Sequence, residues 1–257
     1  MLKNPEATKQ RVIEWIRDYF KNSVPNGCAV IGISGGKDSS VAAAFCKEAL
    51  GADRVIGVTM PDGDQKDISD SYELINHLGI KSMEVNIKDI TGAYLNTFSN
   101  LPAFQEITGK EGLLGEAKIN FPPRIRMSVL YAVAQSLPTG GLVVNTCNRS
   151  EDYVGYSTKF GDAAGDFSPM AAFTVEEVRQ LGDVLGLPQS LVHKAPSDGL
   201  SGMTDEDKLG FTYAELDEYL ATGVCENPVS KEKIDRLHVR NLHKLMPMPT
   251  YKKSEEE

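Results

Sequence analysis

The 257 residues are 41% hydrophobic and 25% charged, the balance of a folded globular chain with room for a large core. A formal net charge of −9 with no basic run argues against a nucleic-acid partner, and no apolar stretch approaches the roughly 20 residues of a membrane span. Cys28, Cys46, Cys147 and Cys225 are widely spaced, with no CxxC pair for zinc or redox work. In chain order, the opening MLKNPEATKQRVIEWIRDYF is charged and amphipathic without the apolar core of a signal peptide, so a cytoplasmic protein is expected. Residues 7–20 predict a first helix, with Val12, Trp15, Ile16 and Tyr19 on one face and Trp15 packed on a sheet. Residues 28–33 predict a buried strand and 40–50 a helix, with Val41, Ala44, Phe45 and Ala49 at helical spacing. A second strand is expected at 54–60, a helix at 67–78 closed by Gly79, and a third strand at 82–87.

Residues 92–117 predict a mobile or irregular segment. Pro122 and Pro123 open a helix over 122–137, and 142–146 predicts a fourth strand. Thr174 and Glu177 have the spacing of a capping box, starting a helix with Val178, Leu181, Val184 and Leu185 inward. Residues 195–208 are a candidate lid, short helices are expected at about 212–221 and 228–243, and the 252–257 tail is expected to be disordered. This alternation predicts one α/β domain over residues 1–257: a doubly wound, mostly parallel, Rossmann-like sheet with helices on both faces. Ligands in such sheets sit beyond the C-terminal strand ends, at a switch point of the topology.

The stretch Gly32-Ile33-Ser34-Gly35-Gly36-Lys37-Asp38-Ser39-Ser40 falls at such an end. A strand, a glycine-rich turn and a helix start present backbone N–H groups and a helix dipole to an anion. The hydroxyls of Ser34, Ser39 and Ser40 offer further donors. It is not a Walker loop, because Asp38 follows Lys37 where that pattern needs Ser or Thr. SGGKDS resembles the PP-loop of the ATP pyrophosphatases, which hold the β- and γ-phosphates of ATP and cleave its α–β bond. The resemblance implies that Gly32, Ile33, Ser34, Gly35, Gly36, Lys37, Asp38 and Ser39 bind ATP and that Asp38 holds Mg²⁺.

Two further stretches carry a closer resemblance: Lys118 to Met127 (KINFPPRIRM), and Asn145 to Glu151 (NTCNRSE) continuing through Gly155 to Asp162 (GYSTKFGD) and on to Asp166. With the PP-loop, and with Lys194 to Ser197, Thr204 to Glu206, and His243-Lys244, they resemble ammonia-using NAD⁺ synthetases over about residues 11–248. The resemblance implies Glu151 as the second Mg²⁺ ligand and Thr146 and Ser197 as ATP contacts. It implies Arg124, Lys159, Asp166, His243 and Lys244 as the deamido-NAD⁺ site. It also implies a homodimer acting on ATP, deamido-NAD⁺ and ammonia, with no nucleic-acid or membrane partner.

Each residue also has a plainer reading. Glu151 and Asp152 fit a helix-start pair capping backbone N–H groups. Lys159 and Asp166 fit surface charges, and His243 fits a structural histidine, as do His77 and His238. Arg124 and Arg126 point about 200° apart on a helix, so only one can face a given ligand. The family lysine that reaches the ATP phosphates is replaced here by Val175, and Lys37 or Lys194 is expected to supply the missing charge. No Ser-His-Asp or Cys-His arrangement suggests a side-chain nucleophile. Two alternatives stay open: a PP-loop ligase adenylating another carboxylate, and a nucleotide-binding sensor without turnover.

Overall fold

The structure is a computed structural model and describes residues 1–194 and 204–253. Helix α1 (Pro5–Ser23) starts at Asn4, whose side chain accepts the Ala7 amide, with Pro5 in the first turn where a missing N–H costs nothing. Its buried stripe is Val12, Ile13, Ile16 and Phe20. That corrects the expected face: Trp15 is 45% exposed and, with Tyr19, flanks Phe167 instead of packing on the sheet. Val12 and Ile16 belong to two adjacent stripes, and the stripe that buries Ile13 and Phe20 removes more branched and aromatic surface from water.

The next elements are β1 (Cys28–Gly32), α2 (Lys37–Leu50), β2 (Val55–Thr59), α3 (Ile68–Leu78) and β3 (Lys81–Glu84). Then come α4 (Lys88–Ser99), α5 (Pro102–Thr108), α6 (Glu116–Ile119), α7 (Phe121–Ser136) and β4 (Gly141–Val143). The sheet runs β3-β2-β1-β4 with every pair parallel, Val30 facing Ile56 on one side and Val143 on the other. Ala29, Ile31 and Val55 pack against α1 and α2 through Ile16, Val41 and Phe45. Val30, Ile56 and Val58 pack on the opposite face with Ile125, Leu130 and Ala134 of α7. Alternate residues thus serve opposite layers, which is why these strands read as unbroken apolar runs.

Two expectations need correction. Residues 92–117 are largely helical, because Tyr94 stacks on Phe121 at 3.5 Å and Phe98 packs edge-on to Phe104 at 5.1 Å. Aromatic contacts with α7 order a segment whose glycines suggested irregularity. The third strand starts and ends earlier than 82–87 and is exposed along its length. Beyond it the Val85 and Ile87 amides still follow β2, donating to Thr59 and Pro61 carbonyls, until buried Ile87 caps α4.

The remaining elements are α8 (Arg149–Val154), α9 (Val175–Val184), α10 (Gln189–Val192), α11 (Asp205–Leu209), α12 (Tyr213–Thr222) and α13 (Pro228–Asn241). The Thr174–Glu177 capping box is formed. Val154, Val175, Leu216 and Ile234 knit α8, α9, α12 and α13 into a separate apolar cluster. Of the lid candidate, 195–203 lies outside the described residues, while Thr204 caps α11. Of the tail, 254–257 lies outside them too.

Candidate active site

The strand order reverses between β1 and β4, so their C-terminal ends open a crevice. The glycine-rich turn leaves β1 there. Gly36 caps α2, which begins at Lys37, three residues before the expected start at 40. The amides of Lys37, Asp38 and Ser39 are therefore in a first helical turn, where no helical carbonyl can accept them. The serines lock the turn from within. The Gly36 amide donates to Ser34 Oγ at 3.3 Å, Ser39 Oγ donates to the Gly36 carbonyl at 3.1 Å, and Ser40 Oγ donates to the same carbonyl at 2.8 Å. The Ser39 and Ser40 hydroxyls thus donate within the turn itself rather than into the cavity. Gly35, at φ +78°, lies against α3: a Cβ there would meet Asp70 Cβ at 2.7 Å.

The second arm follows β4. Val144 bridges to Phe167, and Asn148, fully buried, caps α8 in a box with Glu151. Asn148 Oδ1 accepts the Glu151 amide, Glu151 Oε2 accepts the Asn148 amide at 3.2 Å, and Asn148 Nδ2 donates to Asp38 Oδ1 at 3.0 Å. One asparagine therefore ties the start of α8 to the start of α2. Asp38 and Glu151 both come from helix first turns, and Glu151 does serve as a cap. Lys37 is 5% exposed, with Nζ 2.7 Å from Asp38 Oδ2 and 5.9 Å from the centre of the Tyr213 ring. Burial disfavours its ammonium, but Asp38 and then Glu151 outweigh burial and hold its pKa above the ordinary lysine value. Glu151 is pushed well up, by desolvation first and the Asp38 charge second.

Two acidic side chains set beside each other at two helix starts suit a hard divalent cation. Among the described residues no group of three or more His, Cys, Asp or Glu is arranged to hold a metal. Two protein ligands, with water and phosphate oxygens completing the shell, is the usual Mg²⁺ arrangement, so the donor set fits that ion. The Cys147 thiol is held well above its usual range, first by burial and then by Glu151, which keeps it protonated and poorly nucleophilic.

The turn, Thr146 and Glu151 line a cavity of about 520 Å³, together with Asp62, Asp64, Arg126, Lys194 and Asp205. Of the two arginines it is Arg126 that faces the cavity, its Nε donating to the Met60 carbonyl at 3.0 Å. Arg124 turns to the surface and donates to the Lys159 carbonyl at 3.2 Å, and Lys159 Nζ reaches the His243 carbonyl at 3.0 Å. Those three residues come together. Lys244 Nζ clamps the carbonyls of Gly155 and Ser157, and the Asp166 carboxylate takes the Tyr131 hydroxyl and the Val143 amide. Asp166 and Lys244 share a second cavity of about 240 Å³. Lys194 is paired with Asp67 and Asp70, Ser197 lies outside the described residues, and Val175 is buried in apolar surroundings. Sequence reasoning missed Asn148, although its spacing to Glu151 is that of a capping box. It also missed Tyr213, whose buried Oη has no hydrogen-bond partner among the described residues and for which no local pattern exists.

Helix-start amides facing a cavity at a switch point, with paired carboxylates beside them, define a nucleotide-binding α/β protein of the PP-loop type. The NAD synthase family model matches residues 8–256, and the chain belongs to that family. It is 39% identical over 232 residues to an NH₃-dependent NAD⁺ synthetase of Pyrococcus furiosus, covering 90% of this chain and 83% of the relative. Among solved structures, an NMN synthetase from Francisella tularensis superposes with a TM-score of 0.85 at 34% identity, over 96% of this chain and 98% of that one. An NH₃-dependent NAD synthetase from Campylobacter jejuni, in complex with nitrate, gives 0.75 at 26% identity, over 98% of this chain and all of that one, 100%.

Proposed function

We propose that the chain is a ligase that amidates deamido-NAD⁺ to NAD⁺ with ammonia, converting ATP to AMP and pyrophosphate. The supporting observation is the Asp38–Asn148–Glu151 junction, which sets two carboxylates beside the anion-binding turn. In this reading the amides of Lys37 to Ser39 receive the β- and γ-phosphates. The nicotinate carboxylate attacks the α-phosphorus, the α–β bond breaks, and pyrophosphate leaves onto the turn. Ammonia attacks the adenylated carboxyl, loses a proton, and AMP departs with the acyl–oxygen electron pair. Asp38 and Glu151 would hold Mg²⁺, which would supply positive charge to the phosphates. Thr146 and Ser197 contact ATP, while Arg124, Lys159, Asp166, His243 and Lys244 bind the dinucleotide. The protein positions and neutralises, and needs no side-chain nucleophile. A homodimer in the cytoplasm is part of the same reading.

A second reading places nicotinate mononucleotide in the site, supported by the higher TM-score with the Francisella NMN synthetase. Pyrophosphate release is measured with ATP, Mg²⁺ and ammonia, adding either acid. A kcat/KM for deamido-NAD⁺ at least tenfold above that for the mononucleotide is expected. The reverse order selects the second reading. Release that depends on neither acid overturns both, and leaves a ligase of another carboxylate or a sensor.

A further inference from the structure

Lys37 is the first residue of α2, yet its side chain folds inward and is 5% exposed. Its Nζ takes one oxygen of Asp38 at 2.7 Å, while Asn148 Nδ2 takes the other at 3.0 Å. Both oxygens of a carboxylate suited to a divalent cation are thus engaged by the protein, one by a full positive charge. Glu151 adds negative charge around the same ammonium, while Arg179, one turn beyond Val175 on α9, weakly opposes that charge. Val175 is 1% exposed, in the apolar cluster with Phe211 and Leu216, so the start of α9 supplies no cation of its own.

We infer that the Lys37 ammonium is a tethered counter-ion for Asp38 and Glu151 that a divalent cation must displace, the freed ammonium then turning to the nucleotide phosphates. This rests on the nucleotide-and-metal reading of the cavity. An ammonium and a dication at one carboxylate repel strongly where solvent screening is weak. Metal alone therefore binds poorly. A nucleotide gives the displaced ammonium a new partner, so metal and nucleotide each strengthen the other's binding. Lys37 thereby acts as a positioning residue whose effect appears in the binding equilibria before any chemistry occurs.

The probe is Mn²⁺, titrated by electron paramagnetic resonance into nucleotide-free protein. Lys37→Gln and Lys37→Met should bind Mn²⁺ at least tenfold more tightly than wild type, and the enhancement of Mn²⁺ binding by ATP should shrink by a similar factor. Unchanged or weaker Mn²⁺ binding overturns the inference. Should neither variant fold, reductive methylation of wild type read by mass spectrometry replaces them. Lys37 should be shielded without metal and methylated with Mn²⁺ at a saturating level, and equal labelling in both overturns the inference. The two readings fail separately. Absent pyrophosphate release with tightened Mn²⁺ binding sinks only the ligase reading, whereas normal release with unmoved Mn²⁺ binding sinks only this one.

Discussion

Gly35 shows how narrow the tolerance of the glycine-rich turn is. Its φ of +78° is a backbone conformation that disfavours any Cβ, and the space beside it is filled by Asp70 Cβ at 2.7 Å and the Ser71 amide at 2.9 Å. Gly35→Ala must therefore move either the turn or α3. It should lower stability by about 1–3 kcal/mol and abolish the thermal shift given by ATP with Mg²⁺, while circular dichroism still reports a folded sheet. Retained nucleotide protection would mean that the turn does not bind phosphate. Asp152 lies half-buried behind the site, on α8, and its pKa is raised to about 6, by desolvation first and the Asp162 charge second. The folded protein then holds the proton more tightly than the unfolded chain, so this group lowers stability as pH rises from about 4 to about 6. Asp152→Asn should match wild type near pH 4 and exceed it by on the order of 1 kcal/mol above pH 6, after allowing for solvent screening. Denaturant melts across that range check the sign.

Among the elements, α12 has a structural task that its sequence does not advertise. Asp217 accepts the Ser150 hydroxyl of α8 with one oxygen and the Glu176 amide of α9 with the other. Ser150 is fully buried and its Oγ also accepts the Val175 amide, so one carboxylate sets the starts of two helices together. Asp217→Ala leaves these groups short of partners and should cost about 1–3 kcal/mol. Because α8 carries Glu151, Mn²⁺ affinity should fall as well, whereas a purely local loss would change stability alone. The same contrast explains what was legible from sequence. β1 and β2 were legible because both faces are covered and the apolar runs are continuous, and α9 because Thr174 and Glu177 announce its cap. α4 and α5 were not, because they are ordered by aromatic contacts whose partners, such as Tyr94 and Phe121, are far apart in the chain. The site divides the same way. The turn and its carboxylates have local patterns, but the facing of Arg126 rather than Arg124, and the approach of Tyr213, depend on helices meeting across the crevice.

At the scale of the whole molecule, charge decides how a nucleotide can be accepted. The chain carries a net −9, and among the described residues the main cavity is lined by seven carboxylates and three cations. Two of those cations are already committed, Lys37 to Asp38 and Lys194 to Asp67 and Asp70. A triphosphate brought alone into such a cavity meets like charge that burial does little to screen. The backbone amides of α2 offer only partial charges, and the helix dipole contributes about 0.3–1 kcal/mol, too little to reverse that repulsion. Nucleotide and divalent cation should therefore bind as a unit. Differential scanning fluorimetry should show little change in Tm with ATP in EDTA, and little with Mg²⁺ alone, since Lys37 already neutralises Asp38. ATP with Mg²⁺ at about a hundred times its Kd should add about 2.7 kcal/mol, which for a chain of this length is roughly 5–10 °C. Equal stabilisation by ATP in EDTA would show that the amides and Arg126 suffice, and that the paired carboxylates serve the helix starts rather than a metal.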